Sequence, residues 1–209
     1  MISKKSIFFD LDGTLLNSFP EIKVSLQKSF EKNKVNVNFH LDSKIIGPPL
    51  DKILENILVG DQLDKMDRIK QNFFEIYDSK ECQKSNLFSN VYEVLEILSK
   101  NNNLFIITNK RQKPTLKIVN KHKIKNFFKD IFCLDHNERN FQNKSILLDY
   151  IIKNLNLNSK KCILIGDSIN DYEASYQNNV EFLYASWGYG DLKKLNVKNL
   201  KSFSELLTL

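Results

Sequence analysis

Cysteine, histidine and glycine are all scarce in this 209-residue chain, with three, three and six copies respectively. Cys82, Cys133 and Cys162 are odd in number and widely separated, and two of them lie in apolar runs. That excludes a disulfide framework and leaves reduced, mostly buried thiols. No cysteine has a partner at metal-ligand spacing, and His40, His122 and His136 are equally scattered, which argues against a zinc site. Long apolar runs are missing too. No segment approaches the ~20 apolar residues of a membrane span, and the run after Met1–Lys5 is too short for a signal peptide, so a cytoplasmic address and no membrane partner are expected. The 31 basic residues exceed the 25 acidic ones, for a net charge of +6, but form no tract. The densest stretch, 117–129 (KIVNKHKIKNFFK), reads as the exposed side of a helix with Ile118, Val119, Ile124, Phe127 and Phe128 inward. Nucleic-acid binding is not expected; weak attraction of small anions is. Asparagine runs such as 101–103 reflect compositional bias.

What is present is the profile of a globular protein, 42% hydrophobic and 27% charged, long enough for one core plus a modest second module. Five short apolar runs predict strands at 6–10, 104–108, 131–134, 162–165 and 182–185. Four are nearly continuous in apolar character, as in strands covered on both faces. Helical patterns fall between them at 91–100, 114–121, 145–154 and 171–177. This alternation predicts an α/β fold, a doubly wound and mostly parallel sheet with helices on both sides. From Ser18 to about Phe88 there are only helix-like segments, 18–32, 50–58 and 61–80, with Ser18 and Glu21 as a capping box and Gly47-Pro48-Pro49 as a turn. About 70 residues exceed an ordinary crossover, so a helical module (18–88) is expected to interrupt a core formed by 1–17 and 89–209.

The chemistry gathers where the strands end. In KSIFFDLDGTLLNS (5–18) the apolar run stops at Asp10 and Asp12, which share one face of an extended chain. Thr108 and Asn109 follow the second run; Gly166, Asp167, Ser168, Ile169, Asn170 and Asp171 follow the fourth. Ligands of open parallel sheets bind at these carboxyl ends. So dense a set of carboxylates suits Mg²⁺, a hard, oxygen-seeking cation. Gly13 and Gly166 suit tight turns and close backbone approach. A carboxylate beside a metal is a phosphoryl-transfer tool. Asp10 can attack phosphorus, Asp12 can protonate the leaving oxygen and then activate water, and Thr108 with the amides of the Asp10–Thr14 turn can hold the phosphate. A fixed cation is also needed. Lys144, just before the helical pattern 145–154, is the best placed, with Lys110 and Arg111 as rivals.

These motifs together resemble the haloacid dehalogenase superfamily: DLDGTLLNS (10–18) its first motif, IITN (106–109) its second, Lys144 its third and ILIGDSINDYEAS (163–175) its fourth. The likeness spans nearly the whole chain and is nearest the phosphoglycolate phosphatase-like branch, with TNK at 108–110 and WGYG at 187–190. The resemblance implies a Rossmann-like sheet of order 5-4-1-2-3 with an inserted helical cap. It implies Asp10 as nucleophile, Asp12 as acid and base, and a substrate phosphate held by Asp10, Gly13, Thr14, Thr108, Asn109 and Lys144. Mg²⁺ would be held by Asp10, the Asp12 carbonyl and Asp167, with Asp171 supporting the metal through water or orienting Lys144. Asn17 stands where this branch usually has Asp, and Asn90 where glycine is frequent.

The expected activity is Mg²⁺-dependent hydrolysis of a small phosphorylated metabolite through an aspartyl phosphate, phosphoglycolate first in rank. The alternatives are a phosphomutase of the same fold (β-phosphoglucomutase-like), a nucleotide or sugar phosphatase, a dehalogenase and a silent binding protein. Asp12 argues against the dehalogenase, because a halide leaves without an acid. Presence of the whole motif set argues against the silent protein. Specificity is assigned to 18–88, with the Gly47-Pro48-Pro49 turn facing the site.

Overall fold

Ser6–Phe9 is buried at all four positions, as a strand sandwiched between two layers must be. It forms β1, the centre of the sheet in the computed structural model, which describes residues 4–36 and 41–208. His40 lies outside the described residues. The chain continues through a loop to β2 (Leu16–Asn17), then α1 (Phe19–Lys32), α2 (Leu50–Ile57), α3 (Met66–Ser79) and β3 (Asn86–Leu87). Strands and helices then alternate as α4 (Val91–Asn101), β4 (Asn103–Thr108), α5 (Gln112–Lys121), β5 (Asp130–Cys133), α6 (Lys144–Asn154), β6 (Cys162–Gly166), α7 (Ile169–Gln177) and β7 (Glu181–Ala185), and β8 (Lys198–Leu200) closes the series.

The six-stranded sheet runs β5-β4-β1-β6-β7-β8 and every pairing in it is parallel. The five expected strands are all present, in the expected order. β8 is an addition: a three-residue segment with two exposed positions offers no apolar run to read. Phe9 pairs with Ile106 of β4 and with Ile165 of β6, so the residues after these strands emerge side by side at one edge. Phe8 faces one core with Phe105, Ile107, Leu147, Leu164 and Tyr184; Ile7 and Phe9 face the other. The second core continues without a break into α1, α2 and α3 through Ile22, Leu26, Ile53, Leu54, Ile69 and Phe73.

β2 and β3 pair antiparallel, Leu16 opposite Leu87 and Asn17 opposite Asn86, so one two-residue ribbon carries the chain out to α1–α3 and back. The Ser18–Glu21 capping box does not form. The Ser18 hydroxyl donates instead to the Asp12 carboxylate (2.5 Å), a stronger acceptor, and Glu21 Oε2 has no partner. The expected helix over 61–80 divides into a 3₁₀ turn (Gly60–Lys65) and α3.

The basic stretch 117–129 also departs from expectation. α5 stops at Lys121, although Ile118, Val119, Ile124 and Phe128 are buried as foreseen. Several of its side chains reach α3 and the segment after it: Lys117 Nζ donates to the Asp78 carbonyl (2.5 Å), Lys121 Nζ to that of Gln83, and His122 Nε2 lies 2.8 Å from that of Ser85. Cations placed on the open carbonyls at a helix C-terminus are favourable.

Scarce glycine shows in the helix ends. α1, α5, α6 and α7 each close with a residue at positive φ, namely Lys34 (52°), Lys123 (58°), Asn156 (48°) and Asn179 (52°). The next residue's N–H then reaches back to the third-last helical carbonyl: Val35 to Phe30, Ile124 to Val119, Leu157 to Ile152 and Val180 to Ser175, at 2.9–3.0 Å. Lysine tolerates this left-handed geometry less well than asparagine or glycine. Lys123→Gly should therefore raise stability by about 1 kcal/mol in urea unfolding, and Asn156→Gly by less. A destabilised Lys123→Gly protein would contradict this account of the α5 terminus.

Candidate active site

Asp10 follows β1, Asp167 follows β6, and Asp171 lies in the first turn of α7; all three are buried. One carboxylate oxygen from each lies within 4.8 Å of the others. Their counter-charge comes from α6: Lys144, 2% exposed, places Nζ 2.7 Å from Asp10 Oδ1 and 2.5 Å from Asp171 Oδ1. Burial disfavours the ammonium, but Asp10 and Asp171 outweigh it and hold Lys144 above the ordinary lysine range. Burial and then the Asp171 charge push Asp10 well above the usual carboxylate range, against the pull of Lys144. The same two causes carry Asp167 up to about 7.

Three buried carboxylates facing one ammonium leave a formal excess of two negative charges, all on oxygen donors. This arrangement fits a hard divalent cation. Asp171 is otherwise engaged: beside the Lys144 contact of Oδ1, its Oδ2 accepts from the Ser168 N–H (3.0 Å) and hydroxyl (2.6 Å). Asp167 accepts from the Thr14 hydroxyl through Oδ1 (3.1 Å) and from the Tyr189 N–H through Oδ2 (2.7 Å).

Position 13 of this packing admits only glycine. Gly13 has φ +83°, and a Cβ there would lie 2.2 Å from Asp167 Oδ2. Its N–H donates to the Leu16 carbonyl (2.8 Å). Gly13 and the Thr14 hydroxyl, both expected on a phosphate, are thus engaged within the protein here: Gly13 admits Asp167, and Thr14 orients it. Asn109 is similar, its Nδ2 donating to the Gly47 carbonyl (2.7 Å).

Asp12 stands beside this cluster with both oxygens held, Oδ1 by Ser18 (2.5 Å) and Oδ2 by the Lys110 ammonium (3.0 Å). Lys110, one of the rivals for the fixed cation, thus serves Asp12 and leaves Lys144 on Asp10. Lys110 also donates to the Tyr77 hydroxyl of α3 (2.6 Å). The other rival, Arg111, pairs with Asp78 at the end of α3. Thr108, 1% exposed, accepts the Lys110 N–H (3.1 Å) and faces the same space.

That space is a cavity of about 460 Å³, within the usual range for small-molecule sites. Asp10, Asp12, Thr108, Asn109 and Lys110 contribute from the sheet edge; Ile22, Pro48, Ile53, Phe73 and Tyr77 contribute from the helical segment. The Gly47-Pro48-Pro49 turn lines it, as the sequence predicts.

Sequence reasoning missed Ser18, Tyr77, Asp78 and Tyr189. The Tyr189 hydroxyl accepts the N–H groups of Ser18 (2.7 Å) and Phe19 (3.0 Å) and lies 3.1 Å from Asn17 Oδ1, so it caps α1 in place of the absent capping box. The WGYG segment was the available signal. Tyr189→Phe should cost about 1–2 kcal/mol in urea unfolding, the usual scale of a lost helix cap. Faster amide exchange should be confined to the start of α1; unchanged exchange there would remove Tyr189 from this role.

Residues 7–185 match the family of haloacid dehalogenase-like hydrolases. The chain is 27% identical over 208 residues to a phosphoglycolate phosphatase from Psychrobacter arcticus, covering 93% of this chain and 90% of that protein. It is 26% identical over 195 residues to a pyrophosphatase from Oceanobacillus iheyensis, covering 93% and 89%. Among solved structures, a haloacid dehalogenase-like hydrolase from Streptococcus pneumoniae superposes with a TM-score of 0.86 at 25% identity over 100% of this chain and 99% of that one. The family match across most of the chain establishes that this chain is an enzyme of the haloacid dehalogenase-like hydrolase family.

Proposed function

We propose that this enzyme is a Mg²⁺-dependent phosphomonoesterase acting on a small phosphorylated metabolite through an aspartyl phosphate. The observation that carries the reading is Asp10: a buried carboxylate that lines the cavity, 2.7 Å from a buried ammonium and grouped with two further carboxylates. The relatives named above, a phosphoglycolate phosphatase and a pyrophosphatase, support phosphate as the group transferred.

In this reading Asp10 attacks phosphorus and becomes phosphorylated, as an acyl phosphate, while the P–O bond to the alcohol breaks. Asp12, oriented by Ser18 and Lys110, gives its proton to the departing oxygen and then takes one from the water that hydrolyses the acyl phosphate. Thr108 and Lys144 hold phosphate oxygens. Asp10, Asp167 and the Asp12 carbonyl would hold Mg²⁺, and Asp171, with both oxygens engaged, orients Lys144. When bound, the ion offsets repulsion between the anionic nucleophile and the anionic phosphate. The segment 18–88 acts as a cap over the core of 1–17 and 89–209, and sets specificity. A cytoplasmic location belongs to the same proposal, in keeping with three unbridged, buried thiols.

Three variants test it. Asp10→Asn should abolish phosphate release. Asp12→Asn should lose about 10²–10⁴-fold with alkyl phosphates and less with 4-nitrophenyl phosphate, whose leaving group needs little protonation. Asp167→Ala should fold yet lose Mg²⁺-stimulated turnover and Mg²⁺ binding by calorimetry. An active Asp10→Asn enzyme would sink the mechanism; isomerised sugar phosphate without free phosphate would make the enzyme a mutase.

A further inference from the structure

Among the described residues, the cavity lining offers no unpaired positive charge to a second anionic group. Among the described lining residues the cations are Lys110, bonded to Asp12 and Tyr77, and Arg111, paired with Asp78 and laid over the Phe74 ring 3.5 Å from its centroid. Apart from Asp10 and Asp12, the lining also holds three carboxylates, Asp51, Asp78 and Asp135. Asp51 is met by Lys70 at 2.5 Å, and Asp135 accepts the Gln112 N–H at 2.8 Å. A carboxylate on the substrate would have to share Arg111 with Asp78, which already neutralises it, and would face the other lining carboxylates.

The same lining is rich in acceptors. Asp51 and Asp135 each have one carboxylate oxygen outside the bonds to Lys70 and the Gln112 N–H, and both residues border the cavity. A ligand that brings hydroxyl or N–H donors can use them. Around them lies an apolar surface that includes Ile46, Pro48, Leu50, Phe73, Phe74 and Phe141.

Resting on the phosphomonoesterase reading above, we infer that the alcohol released is uncharged, bears hydroxyl or N–H donors and has an apolar face: the chemistry of a sugar or nucleoside, not of a carboxylated alcohol. The cavity, about 460 Å³, accommodates such a group. Asp78 becomes a specificity residue, because it neutralises the guanidinium that a carboxylate would need. Phosphoglycolate, first in the ranking expected from sequence, falls below the neutral esters.

The test compares kcat/KM of the Mg²⁺-loaded enzyme for phosphoglycolate, glucose 6-phosphate, uridine 5′-monophosphate and 4-nitrophenyl phosphate. The sugar or the nucleoside ester should exceed phosphoglycolate by about tenfold or more, and whichever leads identifies the source. Phosphoglycolate equal or superior would overturn the inference while leaving the phosphatase reading intact. No phosphate released from any ester, the aryl one included, would instead overturn the phosphatase reading. Calorimetry on the Mg²⁺-loaded Asp10→Asn protein then decides the inference: a neutral ester bound about tenfold more tightly than phosphoglycolate supports it, and equal, weaker or absent binding overturns it. Asp78→Asn, by releasing Arg111, should shift the ratio toward phosphoglycolate by about tenfold; an unchanged ratio overturns the assignment of Asp78.

Discussion

Everything at the sheet edge depends on one buried ammonium. Lys144 lies between Asp10 and Asp171, and without it three carboxylates from two neighbouring strands and a helix would meet in a space that admits almost no water. Removing one partner of such a buried pair typically costs about 3–5 kcal/mol, because the other charges stay behind. The fold is arranged to bring it there. β1 and β6 are neighbours, so Asp10 and Asp167 arise side by side, while α6 begins with Lys144 and α7 presents Asp171 from its first turn.

Charge also governs how the helical segment sits against the sheet and its flanking helices. Arg111, Lys117, Lys121 and His122 of the core all contact Asp78 or carbonyls between Asp78 and Ser85. The Lys110 ammonium does the same at the cavity, joining Asp12 to Tyr77. Lys110, Arg111, Lys117 and Lys121, with His122, thus gather along this one seam. Charge-assisted bonds to carbonyls add directional register to the apolar core that the sheet shares with α1–α3.

Much of this was legible in the sequence, for reasons that differ by feature. The parallel strands announce themselves because burial on both faces demands unbroken apolar runs, as in LFIIT and CILI. Asp10, Asp12 and Asp167 are legible because each follows such a run, and strand ends determine where they emerge. β8 was not legible, being short and half exposed. The capping box failed because Ser18 and Glu21 satisfy a local rule that a long-range acceptor, Asp12, overrides. Asp78 and Tyr77 were invisible since their meaning comes from partners 33 residues away in sequence, Arg111 and Lys110. Gly13 was read correctly as a point of close approach, but what approaches is Asp167.

The segment 187–190 has a practical consequence. Trp187 is the only tryptophan of the chain, and its indole N–H donates to the Thr14 carbonyl at 3.0 Å while its ring meets Phe203 edge-on. Two residues on, Tyr189 holds Asp167 with its N–H and the start of α1 with its hydroxyl. The molecule therefore carries a built-in optical probe at the junction of its carboxylate cluster and the start of α1, and intrinsic fluorescence excited at the indole reads this one locality free of any background from other tryptophans.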